Sequence, residues 1–202
     1  MTAMAKMIAE QALVERFRRG DDSAFDGIVQ RHAADVAALA NRLLGWPQDV
    51  DDVVQDVFLA AFTGLRKFRG DCGLRTWLFT ITVNMCRRRQ RRRGFRIRTM
   101  AIDEDCPDLC AEESAERAAM DTETFARVRR AVRTLPPKYR EVVVLRYLQG
   151  LETSEMCELL GITVNAMQVR LTRAREQLRE SLGELIEEKI GRASCRARVS
   201  LN

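Results

Sequence analysis

Apolar residues recur every three or four positions through the first half of the chain, which is the spacing of one face of an α-helix. The pattern predicts helices from about residue 9 to Gly20 and then over 25–44, 50–67 and 74–93. The breaks between them hold glycine or proline, at Gly20, at Gly45-Trp46-Pro47, and at Gly70 and Gly73. This half of the chain is therefore predicted to be a small helical bundle.

The second half begins with a stretch that has no apolar periodicity, from about residue 95 to residue 118. Helical spacing then returns over 119–135, 139–148, 153–160 and 163–188. The last residues are small, polar and basic, and we expect them to be disordered. The fold class that we predict is all-α, with two small helical domains joined by a flexible acidic linker. The expected ranges are 9–94 and 119–189 for the two domains, 95–118 for the linker and 190–202 for the disordered tail.

Positive and negative charges are concentrated in separate segments of the chain, which the net charge of +5 does not show. Eight arginines fall between residues 87 and 98, and seven acidic residues without a basic one lie between Asp103 and Glu116. Eight arginines in twelve residues exceed what solubility or helix capping requires, so this basic helix end is predicted to contact a nucleic acid.

Six cysteines lie at positions 72, 86, 106, 110, 157 and 195, and the one histidine is His32. This spacing does not supply the four ligands of a structural zinc site, so we expect no metal and no cofactor. Reduced thiols, together with the lack of a leader or of a long apolar run, predict a cytoplasmic protein without stable membrane insertion. The sequence also shows no catalytic set: no paired carboxylates in a pocket, no nucleophile with its base and no phosphate-binding loop.

Residues 153–163 have the pattern of a helix-turn-helix. Gly161 suits the left-handed turn, and Thr163 can cap the second helix. The second helix buries an apolar stripe through Met167 and Leu171, and its opposite side offers polar groups with one valine. That side suits the edges of bases in a major groove, although an ordinary solvated helix face would look similar.

Two further surfaces each allow two interpretations. Asp49, Asp51 and Asp52 stand at the start of the third helix, where the helix dipole alone favours acids; with Gln55, Asp56 and Phe58 they could also form a docking surface for a protein. Trp77, ahead of the basic helix end, could stack on an unpaired base or lie in the core.

Taken together, these segments resemble the extracytoplasmic-function (ECF) sigma factors of bacterial RNA polymerase. The resemblance rests on the runs 49–62, 68–70 and 75–84 for the sigma-2 domain, and on residues 135–151 and 161–175 for the sigma-4 domain. It extends over about residues 13–182 and is specific because the motifs occur in the family's order.

The resemblance implies partners and roles. The partners are core RNA polymerase, through its β′ clamp and β flap, promoter DNA and an anti-sigma factor. Residues implied in docking on the β′ clamp are Asp51, Asp52, Gln55, Asp56 and Phe58. Residues implied at the −10 element, with a flipped base held by the loop 68–73, are Phe68, Arg69, Arg75, Trp77, Asn84, Arg87 and Arg88. Residues implied at the −35 element are Arg146, Asn165, Gln168, Val169, Arg170, Thr172 and Arg173.

One segment departs from the family pattern. Where the family usually has a basic residue followed by serine, this chain has Gln168 and Val169. Glutamine can pair with adenine and valine can touch a thymine methyl group, so we expect an unusual −35 preference. The rival hypotheses are a free-standing helix-turn-helix regulator, which would need no acidic docking helix, and an enzyme, for which the sequence offers no site.

Overall fold

The computed structural model describes the backbone of residues 3–100 and 119–199 and the side chains of residues 9–94 and 125–183. Throughout these residues the regular structure is helical, as predicted, and no strand is present. The α-helices are α1 (Ala3–Arg18), α2 (Ser23–Leu44), α3 (Val50–Gly64), α4 (Leu74–Met100), α5 (Ala119–Thr134), α6 (Pro137–Val143), α7 (Thr153–Leu160) and α8 (Val164–Val199). The prediction of an all-α fold is confirmed.

The described residues form two compact units, and each is described by itself. The first unit contains those within 1–106 together with 151–162, and the second contains those within 107–150 and 163–202. Helix α7 belongs to the first unit, where the Thr76 hydroxyl donates a hydrogen bond of 3.2 Å to the Glu155 carboxylate. The domain boundaries that the sequence suggests remain predictions, and most of the expected linker, residues 101–118, lies outside the described residues.

An aromatic cluster forms one end of the core of the first unit. Phe17 of α1 and Phe25 of α2 lie with ring centroids 5.7 Å apart, and Phe62 of α3 meets both rings edge-on at 5.1 Å. Phe58 of α3 joins them at 6.4 Å from Phe25. Burying a phenylalanine side chain contributes about 2 kcal/mol, so these rings hold α1, α2 and α3 together.

The second unit contains a buried arginine that ties α6 to the end of α5. Arg140 is only 9% exposed, and its Nη2 donates to the carbonyl oxygens of Arg133 at 2.6 Å and Leu135 at 3.1 Å. The end of a helix leaves carbonyl groups without intrahelical partners, and Arg140 satisfies two of them at this turn. Burial lowers the pKa of the Arg140 guanidinium, which starts so high that the group stays charged.

Three helices differ from the sequence prediction at their ends. Helix α4 continues past Arg93 to Met100, into the range expected for the linker. Helix α8 continues past residue 188 to Val199, into the range expected for the disordered tail. Arginine, alanine and methionine in these extensions favour helix, and a single glycine in each does not stop it. The predicted helix over 139–148 begins as α6 and ends as a π-helical turn, Val144–Leu148.

Candidate protein and nucleic-acid interfaces

Helix α3 carries an exposed acidic strip. Asp52, Gln55 and Asp56 are exposed and lie three or four residues apart, which places them on one side of the helix, and Asp51 is exposed beside them. The next position on the same side is Leu59, whose side chain is 66% exposed. We call Asp51, Asp52, Gln55, Asp56 and Leu59 the docking strip. It combines negative charge with one apolar side chain at its end.

Phe58, the fifth residue expected on this surface, lies in the core instead. It is 8% exposed and packs edge-on against Phe25. On α3 it lies next to Val57 and three residues before Ala61, and both of these residues are fully buried. Phe58 is next to acidic residues in sequence, but the helical repeat assigns the exposed apolar position to Leu59. Phe58 therefore supports α3 from inside, and Leu59 is an exposed apolar residue that was not predicted from the sequence.

Two acidic residues at the start of α3 bind an arginine in the basic part of α4. The Arg89 Nη2 atom donates to Asp49 Oδ1 at 2.8 Å and to Asp52 Oδ2 at 2.6 Å. The hydrogen bond from Arg89 holds the pKa of the Asp49 carboxyl below its ordinary value, and the same contacts raise the pKa of Arg89. Asp49 precedes α3 but makes no capping hydrogen bond, so its carboxylate serves this tertiary contact rather than the helix end.

The loop before α4 lines a small open cavity of about 220 Å³. Phe68 and Trp77 form its aromatic side, with ring centroids 5.1 Å apart at an interplanar angle of 45°. Gly70 has a φ of +83°, which lets the loop reverse at a conformation that other residues rarely adopt. The remaining lining residues are Lys67, Arg69, Asp71 and Cys72. Burial raises the pKa of the Cys72 thiol, so this thiol is uncharged near neutral pH.

Polar residues are exposed along the side of α4 that is predicted to face DNA. Trp77 is half-buried, whereas Asn84, Arg88 and Arg91 are exposed. Spacings of seven, four and three residues align them along one side of the helix, leading away from the cavity. Arg91 belongs to the basic helix end that is predicted to contact a nucleic acid, although it is not among the residues implied at the −10 element. Arg87 is half-buried next to this side.

Arg75 is engaged within the protein. Its Nε donates to Asp35 Oδ2 at 3.0 Å, and its guanidinium lies over the Phe79 ring at 4.5 Å from the centroid. The contact with Asp35 connects the start of α4 to α2, and the contact with Phe79 lies within α4. The structure therefore gives Arg75 a role in packing beside the expected role at DNA. Phe79 itself is 1% exposed and belongs to the core.

The turn between α7 and α8 has the local geometry that the sequence predicts. Gly161 is left-handed, with φ of 65° and ψ of 43°, and the Thr163 hydroxyl accepts a hydrogen bond of 3.2 Å from the Ala166 backbone. Met167 and Ala174 on α8 are fully buried, and Leu171 nearly so. The expected −35 residues of α8 are exposed or, for Arg170, half-buried: Asn165, Gln168, Val169, Arg170, Thr172 and Arg173.

Two arginines of α8 are oriented by tyrosines of the second unit. The Arg173 guanidinium hydrogen-bonds the Tyr139 hydroxyl and lowers its pKa, and Lys138 Nζ lies 4.9 Å from the centre of the same ring. Arg175 Nε donates to the Tyr147 hydroxyl at 2.8 Å. Arg146, the remaining expected −35 residue, is half-buried in the π-helical turn. This unit therefore presents a basic surface whose cations have fixed directions.

Other classes of site find little support in the described part of the chain. Groups of three or more His, Cys, Asp or Glu side chains that could hold a metal ion are absent from those residues. Nor do the helices described there include one long and apolar enough to span a membrane.

Comparison with known proteins identifies the two parts of this architecture. The family model for sigma-70 region 2 matches residues 28–96, and the model for sigma-70 region 4 matches residues 125–178. The first match contains the docking strip, the cavity and the exposed side of α4. The second contains α6, α7 and the exposed face of α8. The class of protein is therefore a two-region transcription initiation factor of the sigma-70 type.

Relatives that match most of the chain identify the family within this class. The RNA polymerase sigma-H factor of Pseudomonas aeruginosa is 32% identical over 190 residues, which cover 89% of this chain and 96% of that factor. The ECF RNA polymerase sigma-E factor of Escherichia coli is also 32% identical over 190 residues, covering 91% of this chain and 99% of that factor. A solved structure of CnrH in complex with the cytosolic domain of CnrY has a TM-score of 0.61 and 31% identity, and the match covers 87% of this chain and 98% of CnrH. The chain belongs to the ECF family of RNA polymerase sigma factors.

Proposed function

We propose that this sigma factor binds core RNA polymerase through the docking strip of α3 and directs it to −10 and −35 promoter elements. The observation that carries the proposal is the docking strip itself. Asp51, Asp52, Gln55 and Asp56 are all exposed on a helix whose other side is buried, and Leu59 ends the strip with an exposed apolar contact. A regulator that acts on DNA alone would not need this surface, whereas a strip of acids suits the β′ clamp coiled coil as a basic partner.

The −10 element would be recognised and opened by the loop before α4. An unstacked base of the promoter would enter the cavity beside Phe68 and Trp77, since an aromatic wall stacks on any base without strong sequence preference. Arg69 of the loop and Asn84, Arg87 and Arg88 of α4 would contact the neighbouring strand, with Arg91 extending the phosphate contacts. Arg75 would act mainly by holding α4 to α2 through Asp35.

The −35 element would be read by α8. In the major groove, Gln168 can pair with the N6 and N7 atoms of adenine, and Val169 can touch the methyl group of thymine. Arg173 and Arg170 would contact phosphates, with Asn165, Thr172 and Arg146 positioned around them. The hydrogen bond with Tyr139 restricts the Arg173 side chain, which would reduce the entropy lost on binding. The second unit would also contact the β flap of the polymerase.

Control by an anti-sigma factor is part of the same proposal. CnrH is similar to this chain over most of its length, and its solved structure contains the cytosolic domain of CnrY. A partner of this kind would cover the docking strip or the exposed face of α8, so that neither polymerase nor DNA could bind. We assign no catalytic step to the chain, because binding and promoter selection account for the surfaces described above.

The experiment is a binding comparison with two arms. The purified chain is mixed with core polymerase and analysed by size-exclusion chromatography, and separately titrated with duplex promoter DNA in the absence of polymerase. We expect co-elution with core and only weak binding to the duplex alone. Tight duplex binding together with no co-elution would favour the free-standing regulator instead.

A further inference from the structure

Arg89 binds two carboxylates at the start of α3 with its guanidinium. A single nitrogen, Nη2, donates to Asp49 and to Asp52, at 2.8 and 2.6 Å. The side chain is 28% exposed, and Asp49 is 24% exposed. Asp52 is part of the docking strip and remains 63% exposed. Arg89 therefore reaches from α4 to the first turn of the helix that carries the strip.

The helical repeat explains why Arg89 points to α3. Thr82 and Cys86 are buried on the side of α4 that faces the other helices, and Arg89 and Arg93 follow at spacings of three and four. Arg88, Arg91 and Arg92 lie on other sides of the helix and are exposed. Arg89 and Arg93 thus contact the protein, although Arg93 is also exposed, whereas Arg88, Arg91 and Arg92 are available to a ligand.

The neighbours of Arg89 hold the same turn. Arg93 places its guanidinium over the Trp46 ring, 4.4 Å from the centroid, and Trp46 Nε1 donates to the second oxygen of Asp49 at 2.7 Å. Gln90 Nε2 donates to the carbonyl oxygen of Leu43 at 2.8 Å. One turn of α4 therefore holds the end of α2, the connection between α2 and α3, and the start of α3.

We propose that Arg89 is a positioning residue for polymerase docking: by binding Asp49 and Asp52 together it sets the direction of the docking strip relative to the DNA-facing side of α4. The proposal rests on the proposed function, since it concerns how the same strip is presented. The ion pair of Arg89 with Asp52, whose side chain is 63% exposed, contributes little to overall stability, so the effect of this contact falls on the orientation of the first turn of α3 rather than on whether the unit folds.

The test compares Arg89→Gln with Arg92→Gln. Both variants remove one positive charge from the same helix, but Arg92 is exposed and has no ion-pair partner among the described residues. We expect Arg89→Gln to weaken binding to core polymerase by roughly threefold to tenfold, in the range of coupling between contacting residues, and Arg92→Gln to leave it unchanged. Thermal unfolding of both variants should stay close to that of the unaltered chain.

A double-mutant cycle separates positioning from a direct contact of Arg89 with the polymerase. Asp49 lies outside the docking strip and binds Arg89 and Trp46, so Asp49→Asn should weaken core binding by loosening this turn and not through a polymerase contact of its own. We then expect Asp49→Asn and Arg89→Gln together to be no worse than Arg89→Gln alone. Additive losses, or equal core binding by the Arg89→Gln and Arg92→Gln variants, would overturn the proposal while leaving the docking strip intact. If the unaltered chain failed to bind core, both this proposal and the proposed function would be rejected.

Discussion

The Trp77 ring lies against Phe68, with centroids 5.1 Å apart, and occupies space that Gly64 leaves open. A Cβ atom at position 64 would stand 3.2 Å from Trp77 Cζ2, which is tighter than ordinary van der Waals contact. The aromatic wall of the cavity is therefore supported from the end of α3. This relationship connects the loop that would bind a base to the helix that would bind polymerase.

Replacing Trp77 with alanine is expected to impair promoter opening. The change removes the larger ring of the cavity, and one stacked base is worth about 1–3 kcal/mol, so open complexes should fall by roughly tenfold. Permanganate reactivity of unpaired thymines measures the opening. Phe125→Ala, which removes an exposed ring from α5, is the control. If the Trp77→Ala variant opened the promoter normally, the Trp77 ring would have a role only in packing.

Reversing the charge at Asp56 is expected to abolish docking. Asp56 is exposed in the middle of the docking strip, and a lysine there would face a basic partner surface. We expect a loss of core affinity on the order of tenfold or more, measured by competition with a labelled sigma factor. Asp26→Lys makes the same change at an exposed position of α2 and should bind as before. Equal losses in both variants would indicate a general charge effect.

Removing the Arg173 side chain is expected to weaken −35 binding and to lower its salt dependence. A phosphate contact contributes about one unit to the slope of log affinity against log salt, so Arg173→Ala should reduce the slope by about 1. Val169→Ala should instead alter base preference with little change in slope. Fluorescence anisotropy of the holoenzyme over a salt series measures both. An unchanged slope for Arg173→Ala would argue against a phosphate contact.

Replacing buried Arg140 with methionine is expected to destabilise the second unit. The change leaves the carbonyl groups of Arg133 and Leu135 without this donor, at a cost of about 3 kcal/mol. Circular dichroism should show unfolding that begins at a lower temperature. The unfolding temperature measured by tryptophan emission should stay the same, because Trp46 and Trp77 both lie in the first unit. Arg130→Met, on the exposed side of α5, is the control. Unchanged unfolding by both probes would contradict the assigned role.

Local features of the fold could be predicted from the sequence because they depend on neighbouring residues. The left-handed Gly161 and the cap at Thr163 are set by residues within one turn, and both occur where predicted. The exposed face of α8 follows from the spacing of Met167 and Leu171, which fixes the opposite side of the same helix.

Features that depend on distant parts of the chain could not be predicted in this way. Arg89 and its partners Asp49 and Asp52 are about forty residues apart in sequence. The helical repeat can assign Arg89 to the inner side of α4, but it does not identify these partners. Phe58 shows a different source of error, since its sequence neighbours are acidic while its direction on α3 is toward the core. Direction on the helix, rather than proximity in sequence, decides which residues share a surface.

The most direct measurement is transcription from a promoter that core polymerase cannot use alone. Core polymerase, the purified chain and a template selected from genomic DNA are incubated with nucleotides, and the start sites are mapped. We expect transcripts that begin at fixed sites only when the chain is present, and that disappear with Asp56→Lys but persist with Asp26→Lys. If the chain bound the same DNA but gave no start site with core polymerase, the assignment of promoter-directing function would be contradicted.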